Sequence, residues 1–524
     1  MSETHFDVAI VGFGPAGAVC ANLLGQHGVR ILAIDRAQEV YAQPRAFALD
    51  HEIMRVLQNL GLAAQILPHT APFTASEYYG AAGQLIKRLG SIPPPYPLGW
   101  PPNLVFNQPA VEAVLRHGAA ACASVTVELG TELIGLAQSA NGVDLRLRDA
   151  GGRERSVAAR YVIACDGASS TVRELLGIEM QDLQFDEPWL VADLLVEARG
   201  AAMLPAVSIQ YCEPARPTTY LIGTPGHRRW EIMLLPGEDP RAMQTEESVW
   251  RLLARWITPA DARLWRSASY RFHALVAREW RRGRIFLAGD AAHQQPPFIG
   301  QGMCQGVRDV VNLAWKLRLV LAGQANDALL DTYAEERGAH VRRLTATIKG
   351  IGRLICERDP AAAQARDAAL LDEAGGVIST QPRQHLIPPL EAGCISEIAH
   401  PANGTLFPQP GIHRRGGEVL LDDIAGAGFR VVLAAQWACT TAGLTGLTGR
   451  LGARLVRLSA EGGFDETAGI LAQWFAKHAC TAAIVRPDHY VYGVAKDRPE
   501  LERQLLAVLS RLGAPPERIG GPKP

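Results

Sequence analysis

Three glycines near the start of the chain, Gly12, Gly14 and Gly17, have the spacing of a turn that binds a dinucleotide pyrophosphate. They follow an apolar run of β-formers and precede a stretch with helical spacing, so the positive end of the helix would face the phosphates. Asp35 ends the next apolar run, where a carboxylate accepts hydrogen bonds from a ribose. A glycine-rich turn without ligand is the alternative interpretation. Pro15, Ala16 and Arg36 complete this predicted site.

A second motif, RIFLAGDAAH, occupies residues 284–293. Gly289 would let a ligand approach the backbone, and Asp290 could accept hydrogen bonds from a polyol such as the ribityl chain of a flavin. A turn or cap role explains a strand-end Asp equally well. The following PPFIGQGMC leads into a long helical pattern whose start would suit the negative charge of a reduced isoalloxazine. The cofactor residues predicted in this second stretch are Gly300, Gln301, Gly302, Met303 and Cys304.

A third strand-to-helix turn, CDGASSTVR, occupies residues 165–173. Asp166 or Ser169 could contact a ligand there. Capping of the following helix by either residue explains the motif as well.

The three motifs, in this order and spaced over about 300 residues, resemble the class A flavoprotein aromatic hydroxylases, the superfamily of phenol hydroxylase and p-hydroxybenzoate hydroxylase. Within that group the chain is similar to the 3-(3-hydroxyphenyl)propionate hydroxylase type. Supporting segments are residues 43–61, 99–115, 211–217, 231–238 and 330–337. The resemblance covers nearly the whole chain and is weaker over the last hundred residues.

The resemblance implies roles for further residues. Arg45 and Gln108 would contact the flavin, and Pro297 would line the pocket beside its reactive edge. The third turn, at residues 165–173, would serve both FAD and the approach of the nicotinamide. This role falls to Asp166, Gly167 and Arg173.

The chain departs from the family pattern at three positions. Asp35 replaces the usual Glu with the same chemistry on a shorter side chain, and Cys304 stands where Asn is common. If the latter position acts through its side chain, flavin affinity is in question. His51 stands where relatives have an acid or another polar residue. It could help to deprotonate a phenol, and a histidine on a helix surface is the alternative.

The implied function is an FAD-dependent monooxygenase of aromatic catabolism. NADH or NADPH would reduce FAD, and O₂ would add to give a C4a-hydroperoxide that hydroxylates a 3-(3-hydroxyphenyl)propionate-like phenol. One alternative is hydroxylation of a polyketide or heteroaromatic ring. Another is an oxidase or redox protein that never transfers oxygen to a ring. The family's C-terminal domain implies a homodimer.

Substrate residues are predicted from residue type alone. Aromatic side chains would wall the ring, and an arginine would pair with a substrate carboxylate. The aromatic candidates are Phe47, Tyr79, Trp100, Tyr211, Tyr220 and Phe298, and the arginines are Arg216 and Arg228.

The elements that must position these residues indicate an α/β fold. Residues 4–36, 159–177 and 283–323 each contain a short β-rich run, a glycine turn and a helical pattern, as expected of one nucleotide-binding core. The resemblance makes this a Rossmann-type FAD-binding domain of the glutathione-reductase-like class. Its predicted parts are 1–180 and 281–385, with a mostly antiparallel substrate-binding sheet inserted at 181–280. A linker and a thioredoxin-like domain are predicted over 386–524.

Composition and cysteine content indicate which partners and which cellular compartment to expect. The 524 residues include 52 basic and 53 acidic side chains, a balance that favours neither nucleic acid nor an anionic membrane as partner. Nine scattered cysteines, none in a CxxC pair, argue against a disulfide framework and a metal site. The apolar stretch at 8–24 is preceded by acids and broken by glycines, so it indicates neither an export signal nor a membrane span. We therefore expect a cytoplasmic protein.

Overall fold

A computed structural model describes residues 5–414, 417–437, 443–458 and 463–513. The strands are β1 His5–Val11, β2 Ile31–Asp35, β3 Ala48–Asp50, β4 Thr70–Pro72, β5 Ala75–Tyr79, β6 Leu85–Gly90, β7 Asn103–Phe106, β8 Val125–Leu129, β9 Thr131–Gln138, β10 Val143–Asp149, β11 Glu154–Ala164, β12 Met180–Val196, β13 Ser208–Tyr211, β14 Thr218–Ile222, β15 His227–Met233, β16 Ala262–Ala277, β17 Arg281–Arg282, β18 Ile285–Leu287, β19 His293–Gln294, β20 Thr380–Pro382, β21 Gly411–Arg414, β22 Gly417–Leu420, β23 Arg430–Leu433, β24 Arg454–Arg457, β25 Ala482–Val485 and β26 Val491–Ala495.

The helices connect and cover these strands. They are α1 Pro15–Gly25, α2 His51–Asn59, α3 Ala63–Ile66, α4 Gln108–Ala120, α5 Thr171–Leu175, α6 Ala198–Met203, α7 Pro240–Met243, α8 Glu246–Leu253, α9 Gly302–Leu321, α10 Asp331–Ile355, α11 Pro360–Glu373, α12 Leu421–Ala425, α13 Thr445–Leu451, α14 Ile470–Lys477 and α15 Arg498–Leu512.

The first sheet brings the three predicted motifs together. Its strand order is β17-β18-β11-β1-β2-β8, and the β18–β11, β11–β1, β1–β2 and β2–β8 pairs are parallel. Val8, Ile10 and Val162 are fully buried, as expected of parallel strands covered on both faces. Because β1, β11 and β18 are parallel neighbours, the turns that follow them lie at one edge of the sheet.

The second sheet is larger than the sequence predicted. Its order is β19-β16-β12-β15-β14-β13-β5-β6-β20, and it is mostly antiparallel, with parallel β13–β5 and β6–β20 pairs. Strands β12 to β16 fall within or near the predicted range 181–280, whereas β5, β6, β19 and β20 come from outside it. The pattern analysis missed these additions because β5 joins the sheet through a partner more than a hundred residues away, on β13.

The C-terminal part contains a separate four-stranded sheet of order β24-β23-β25-β26. Strands β23 and β24 are parallel, and the β23–β25 and β25–β26 pairs are antiparallel. A buried ion pair ties this part to the rest of the chain: Arg486 contacts Glu336 at 2.7 Å. Of the nine cysteines, Cys439 lies outside the described residues.

No helix within the described ranges is long and apolar enough to cross a membrane.

Candidate active site

A cavity of about 630 Å³ runs from the glycine turn after β1 to the face of the second sheet. Most of the predicted cofactor residues line it, so the three motifs converge on one space. Those that line the cavity are Gly12, Gly14, Pro15, Ala16, Asp35, Arg36, Arg45, Gln108, Asp166, Gly167, Gly289, Asp290, Pro297, Gly300, Gly302 and Met303.

The glycines of the first turn have three different surroundings. Gly12 has a φ of +95°, and a Cβ there would lie 2.3 Å from the carbonyl oxygen of Cys165. A Cβ on Gly17 would lie 2.0 Å from the Gly12 carbonyl oxygen, so Gly17 serves close packing and does not line the cavity. Gly14 has no neighbouring atom within 4 Å of its Cβ position. The open side of Gly14 is therefore where a pyrophosphate can approach the backbone.

Asp35 fixes the loops on both sides of the predicted adenosine site. Its Oδ2 accepts a hydrogen bond from Phe13 N, and its Oδ1 accepts one from Ala37 N, both at 2.8 Å. The Asp side chain therefore reaches the turn backbone and still lines the cavity.

Helix α4 contributes a cationic residue that the sequence analysis missed. Gln108, Glu112 and Arg116 follow at intervals of four, lie on one helix face, and all line the cavity. Arg116 Nη2 donates to Glu112 Oε1 at 2.7 Å, while its Nε and Nη1 are buried without a partner among the described residues. Buried guanidinium donors facing open space suit an anionic or acceptor-rich ligand. Together with the open side of Gly14, they fit a dinucleotide such as FAD.

Gln108 positions the loop that carries Arg45. Its Oε1 accepts hydrogen bonds from Arg45 N at 2.8 Å and Ala46 N at 2.6 Å. The Arg45 guanidinium lies 4.3 Å from the centre of the Tyr41 ring, and both side chains line the cavity. Arg229 Nη1 holds the same loop from the second sheet by donating to the Arg45 carbonyl at 2.9 Å.

Buried Asp309 of α9 organises the Gly-Asp motif. Its Oδ2 accepts from Gly289 N at 2.9 Å and lies 2.8 Å from His293 Nε2. Arg337 Nε donates to Oδ1 of the same carboxylate at 2.8 Å. Asp290 is thereby presented with its side chain open to the cavity, although the surrounding protein raises the pKa of its carboxyl by desolvation.

The start of α9 supplies open backbone to the cavity. Gly302, its first residue, has no atom within 4 Å of its Cβ position, and Pro297 and Met303 line the same wall. Gln301 and Cys304, predicted as cofactor residues, do not line it. Gln301 Oε1 accepts from Arg308 at 2.9 Å, and the Cys304 thiol donates to the Ala48 carbonyl at 3.5 Å.

The third turn differs in part from its predicted role. Arg173 does not line the cavity, because its guanidinium donates to the carbonyls of Ala291 at 3.0 Å and Ala168 at 2.8 Å. It therefore ties the third turn to the Gly-Asp motif. Asp166 Oδ2 accepts from Val172 N at 3.1 Å, and its buried Oδ1 has no described partner. The N-cap of α5 is Ser170, whose side chain accepts from Arg173 N, and not Asp166 or Ser169 as predicted.

His51 is neither a cavity residue nor a surface residue. It is the first residue of α2, is buried, and does not line the cavity. Burial lowers the pKa of its imidazole to about 4, so the ring is neutral at working pH. Both predictions for this residue, a base for the phenol and a helix-surface histidine, are therefore corrected.

We predict that H51Q leaves the pH dependence of turnover unchanged. The neutral imidazole does not contact the cavity, so its loss removes no ionisation from the reaction. The measurement is kcat/KM between pH 6 and 9 for FAD-loaded variant and wild type. Loss of one limb of the profile in H51Q alone would show that this histidine exchanges protons during turnover.

Two of the predicted aromatic residues, Phe47 and Phe298, line the cavity. Tyr211 and Tyr220 do not, because side chains alternate along a strand and their neighbours Gln210 and Thr219 face the cavity instead. Tyr220 packs at 5.0 Å from the ring of Trp230 on the opposite face of the sheet.

The remaining predicted substrate residues also lie outside the cavity lining. Trp100 Nε1 donates to Gln58 at 2.7 Å, and Arg216 is bound to Glu238 at 2.7 Å. Neither lines the cavity, nor do Tyr79 and Arg228.

The cationic residue of the substrate end is Arg383, which no motif indicated. Its guanidinium is buried, donates to the Ile299 carbonyl, and lies 4.8 Å from the centre of the Phe73 ring. Its Nε has no partner among the described residues. Arg383, Phe73 and Phe298 all line the cavity, so this end has aromatic walls and, beside the arginines of the second sheet, the positive charge of Arg383.

Comparisons with known proteins match nearly the whole chain. The family model for the FAD binding domain matches residues 5–347, and the model for the HcaD C-terminal domain matches residues 404–509. The chain is 36% identical to a probable NADH-specific resorcinol 4-hydroxylase of Rhodococcus jostii, over 98% of this chain and 97% of the relative. It is 33% identical to a 3-(3-hydroxy-phenyl)propionate/3-hydroxycinnamic acid hydroxylase of Mycolicibacterium gilvum, over 97% and 92%.

Solved structures share the fold. The flavin-dependent monooxygenase PieE, in complex with FAD and substrate, superposes with a TM-score of 0.81 at 22% identity, over 97% of this chain and 99% of that one. Aklavinone-11 hydroxylase, with FAD and aklavinone, gives a TM-score of 0.80 at 23% identity, over 98% and 99%.

Proposed function

Because the chain belongs to the FAD binding domain family and its relatives are aromatic hydroxylases, we propose that it hydroxylates a small phenolic compound with NADH and O₂. It is an FAD-dependent aromatic-ring monooxygenase. The observation that carries the proposal is the single cavity that joins the three glycine turns to an aromatic wall with a buried arginine.

When bound, FAD supplies two-electron redox chemistry and the activation of O₂. The chain's own residues would hold it. The turn at Gly14 and the guanidinium of Arg116 would receive the diphosphate half, and Asp35 would receive the ribose. Asp290 would accept hydrogen bonds from the ribityl chain, and the N–H groups at the start of α9 would face the ring system.

The sheet side of the cavity would hold the phenol and exclude water. Phe47, Phe73 and Phe298 supply apolar walls, and Arg383 supplies a cation for a phenolate or carboxylate oxygen. A buried cation favours an anionic or phenolic oxygen, and the names of the relatives favour a small phenol over a large polyketide or heteroaromatic ring. A 3-(3-hydroxyphenyl)propionate-like compound or resorcinol suits this chemistry, in keeping with the names of the relatives.

The test is substrate-stimulated oxidation of NADH by the FAD-loaded enzyme. Resorcinol and 3-(3-hydroxyphenyl)propionate are compared with 3-phenylpropionate, which lacks the ring hydroxyl. We expect the phenols to accelerate NADH consumption and to yield one hydroxylated product per NADH. Phenol-independent oxidation that releases only hydrogen peroxide would identify an oxidase and contradict the proposal.

We also propose the domain roles expected from the sequence. The parts 1–180 and 281–385 would bind FAD, 181–280 would form most of the substrate-binding sheet, and 386–524 would be linker and thioredoxin-like domain. The order β24-β23-β25-β26, with one parallel and two antiparallel pairs, supports the last assignment. A cytoplasmic location and a homodimer complete the proposal. The eight described cysteines, all free thiols, agree with a reducing compartment.

A further inference from the structure

One row of side chains crosses the cavity face of the second sheet. Strand register pairs Tyr78 with Gln210, Gln210 with Thr219, Thr219 with Glu231, and Glu231 with Val191. All five residues line the cavity. Neighbouring strands lie about 4.8 Å apart, so four consecutive polar groups form a ladder on the cavity face of this sheet.

Two members of the ladder are hydrogen-bonded to each other. Thr219 Oγ1 donates to Gln210 Oε1 at 2.5 Å. This bond fixes both side chains and leaves the Gln210 amide N–H groups without a bond to any described residue. Tyr78 Oη, at the end of the ladder, is buried and also has no described partner.

Glu231 is the member with an unused acceptor. Its carboxylate is buried, lines the cavity, and makes no hydrogen bond to the described residues. Its nearest cation, Arg229, is 4.0 Å away at Nη1, which already donates to the Arg45 carbonyl. Arg229 Nε and Nη2 are bound to Asp193, so the guanidinium does not satisfy Glu231. A buried carboxylate that faces a cavity without a hydrogen bond to the described residues is free to accept one from a ligand.

We propose, resting on the proposed function, that Glu231 accepts the ring hydroxyl proton of the phenolic substrate. Glu231 first accepts a hydrogen bond from the hydroxyl. The substrate O–H bond then breaks, an O–H bond forms on the carboxylate, and the negative charge moves to the ring oxygen. That charge activates the ring toward an electrophilic oxygen. The ladder thus recognises a hydroxyl donor, whereas Arg383 recognises an anionic or acceptor oxygen.

The ionisation of Glu231 is set by groups on three strands. Burial raises the pKa of its carboxyl to about 7, opposed by Arg229 on β15 and Arg266 on β16 and reinforced by Asp193 on β12. A carboxylate accepts a proton only when it is ionised. The reaction should therefore lose kcat/KM as the pH falls through about 7.

The test uses E231Q, with E187Q as the matched control. Glu187 also lies on the second sheet, and burial also raises the pKa of its carboxyl, but it does not line the cavity. Binding of resorcinol, 3-(3-hydroxyphenyl)propionate and their O-methyl ethers to oxidised FAD-loaded enzyme is followed by the change in flavin absorbance. The ethers accept hydrogen bonds but cannot donate one from the ring oxygen.

We expect E231Q to weaken phenol binding about tenfold, because a neutral amide replaces an ionised acceptor. Ether binding should be unchanged, the acid limb of kcat/KM should vanish, and E187Q should match wild type. E231D, which keeps a carboxylate, should retain the acid limb and bind phenols with intermediate affinity; this variant also decides the matter if E231Q does not fold.

Phenol binding that is equal in wild type and E231Q, with the acid limb retained, would overturn the role of Glu231 and leave the proposed function intact. The role of Glu231 would also be overturned if E231Q kept the acid limb of kcat/KM and E187Q lost it. Failure of wild type to bind either phenol would instead contradict the proposed function.

Discussion

G14V is expected to yield a folded protein that no longer retains FAD. Gly14 has a φ of −68°, which any residue adopts, and its Cβ position has no neighbour within 4 Å. The valine side chain therefore fits the apoprotein and occupies the space where the diphosphate would approach the backbone. Crowding of this kind costs about 1–3 kcal/mol, so the FAD dissociation constant should rise up to about 100-fold.

The measurement is the ratio of flavin to protein absorbance after purification, followed by titration of the apoprotein with FAD. G350V is the matched control, because Gly350 lies in α10, outside the cavity, and its Cβ position also has no neighbour within 4 Å. It should bind FAD as wild type does. A G14V enzyme that purifies with a full complement of FAD would place the diphosphate elsewhere.

R486M is expected to lower the free energy of unfolding by about 3–5 kcal/mol at neutral pH. Arg486 is fully buried and binds Glu336 at 2.7 Å and Asp488 through Nε at 3.0 Å. Removing it leaves two buried carboxylates, of which Glu336 keeps Lys316, at 3.0 Å, as its paired cation. Because Glu336 lies on α10 and Arg486 in the C-terminal part, the loss should loosen the docking of that part.

The effect should depend on pH with a definite sign. Burial would raise the pKa of Glu336, but Arg486 and Lys316 outweigh burial and lower it to about 2. A lowered carboxyl pKa stabilises the fold above the unfolded value near 4.5, and that stabilisation is lost as pH falls toward about 2. In R486M the Glu336 carboxyl protonates more readily. The difference in unfolding free energy between R486M and wild type should therefore be smaller in acid.

Denaturant unfolding of wild type and R486M at pH 7.5 and pH 4.5 measures both effects. R498M is the control, since Arg498 pairs with Glu502 at the surface with side chains 34% and 35% exposed. R498M should lower the free energy of unfolding by less than about 1 kcal/mol. Equal losses in R486M and R498M would mean that the buried ion pair does not hold the C-terminal part.

Local chemistry in the sequence predicted where a dinucleotide would meet the chain, whereas the choice of FAD came from the family resemblance. A glycine turn needs a short, contiguous set of residues, so Gly12, Gly14 and the Gly-Asp motif at Asp290 could be identified where they stand. Their convergence followed from parallel strand pairing. Within the same motifs, however, Gln301, Cys304 and Arg173 turn away from the cavity, because neighbouring residues in a turn point in different directions.

The substrate half depended on strand partners that no local pattern specifies. Alternation predicts that Gln210 and Tyr211 face opposite sides of a strand, but not which side meets the cavity. Tyr78, Gln210 and Glu231 become neighbours only when β5 joins β13 and β14 joins β15, and Arg383 arrives from a later segment. Local sequence thus indicated which turns could receive a dinucleotide. The tertiary structure decided which polar groups face the cavity, because long-range pairing sets the register of the sheet.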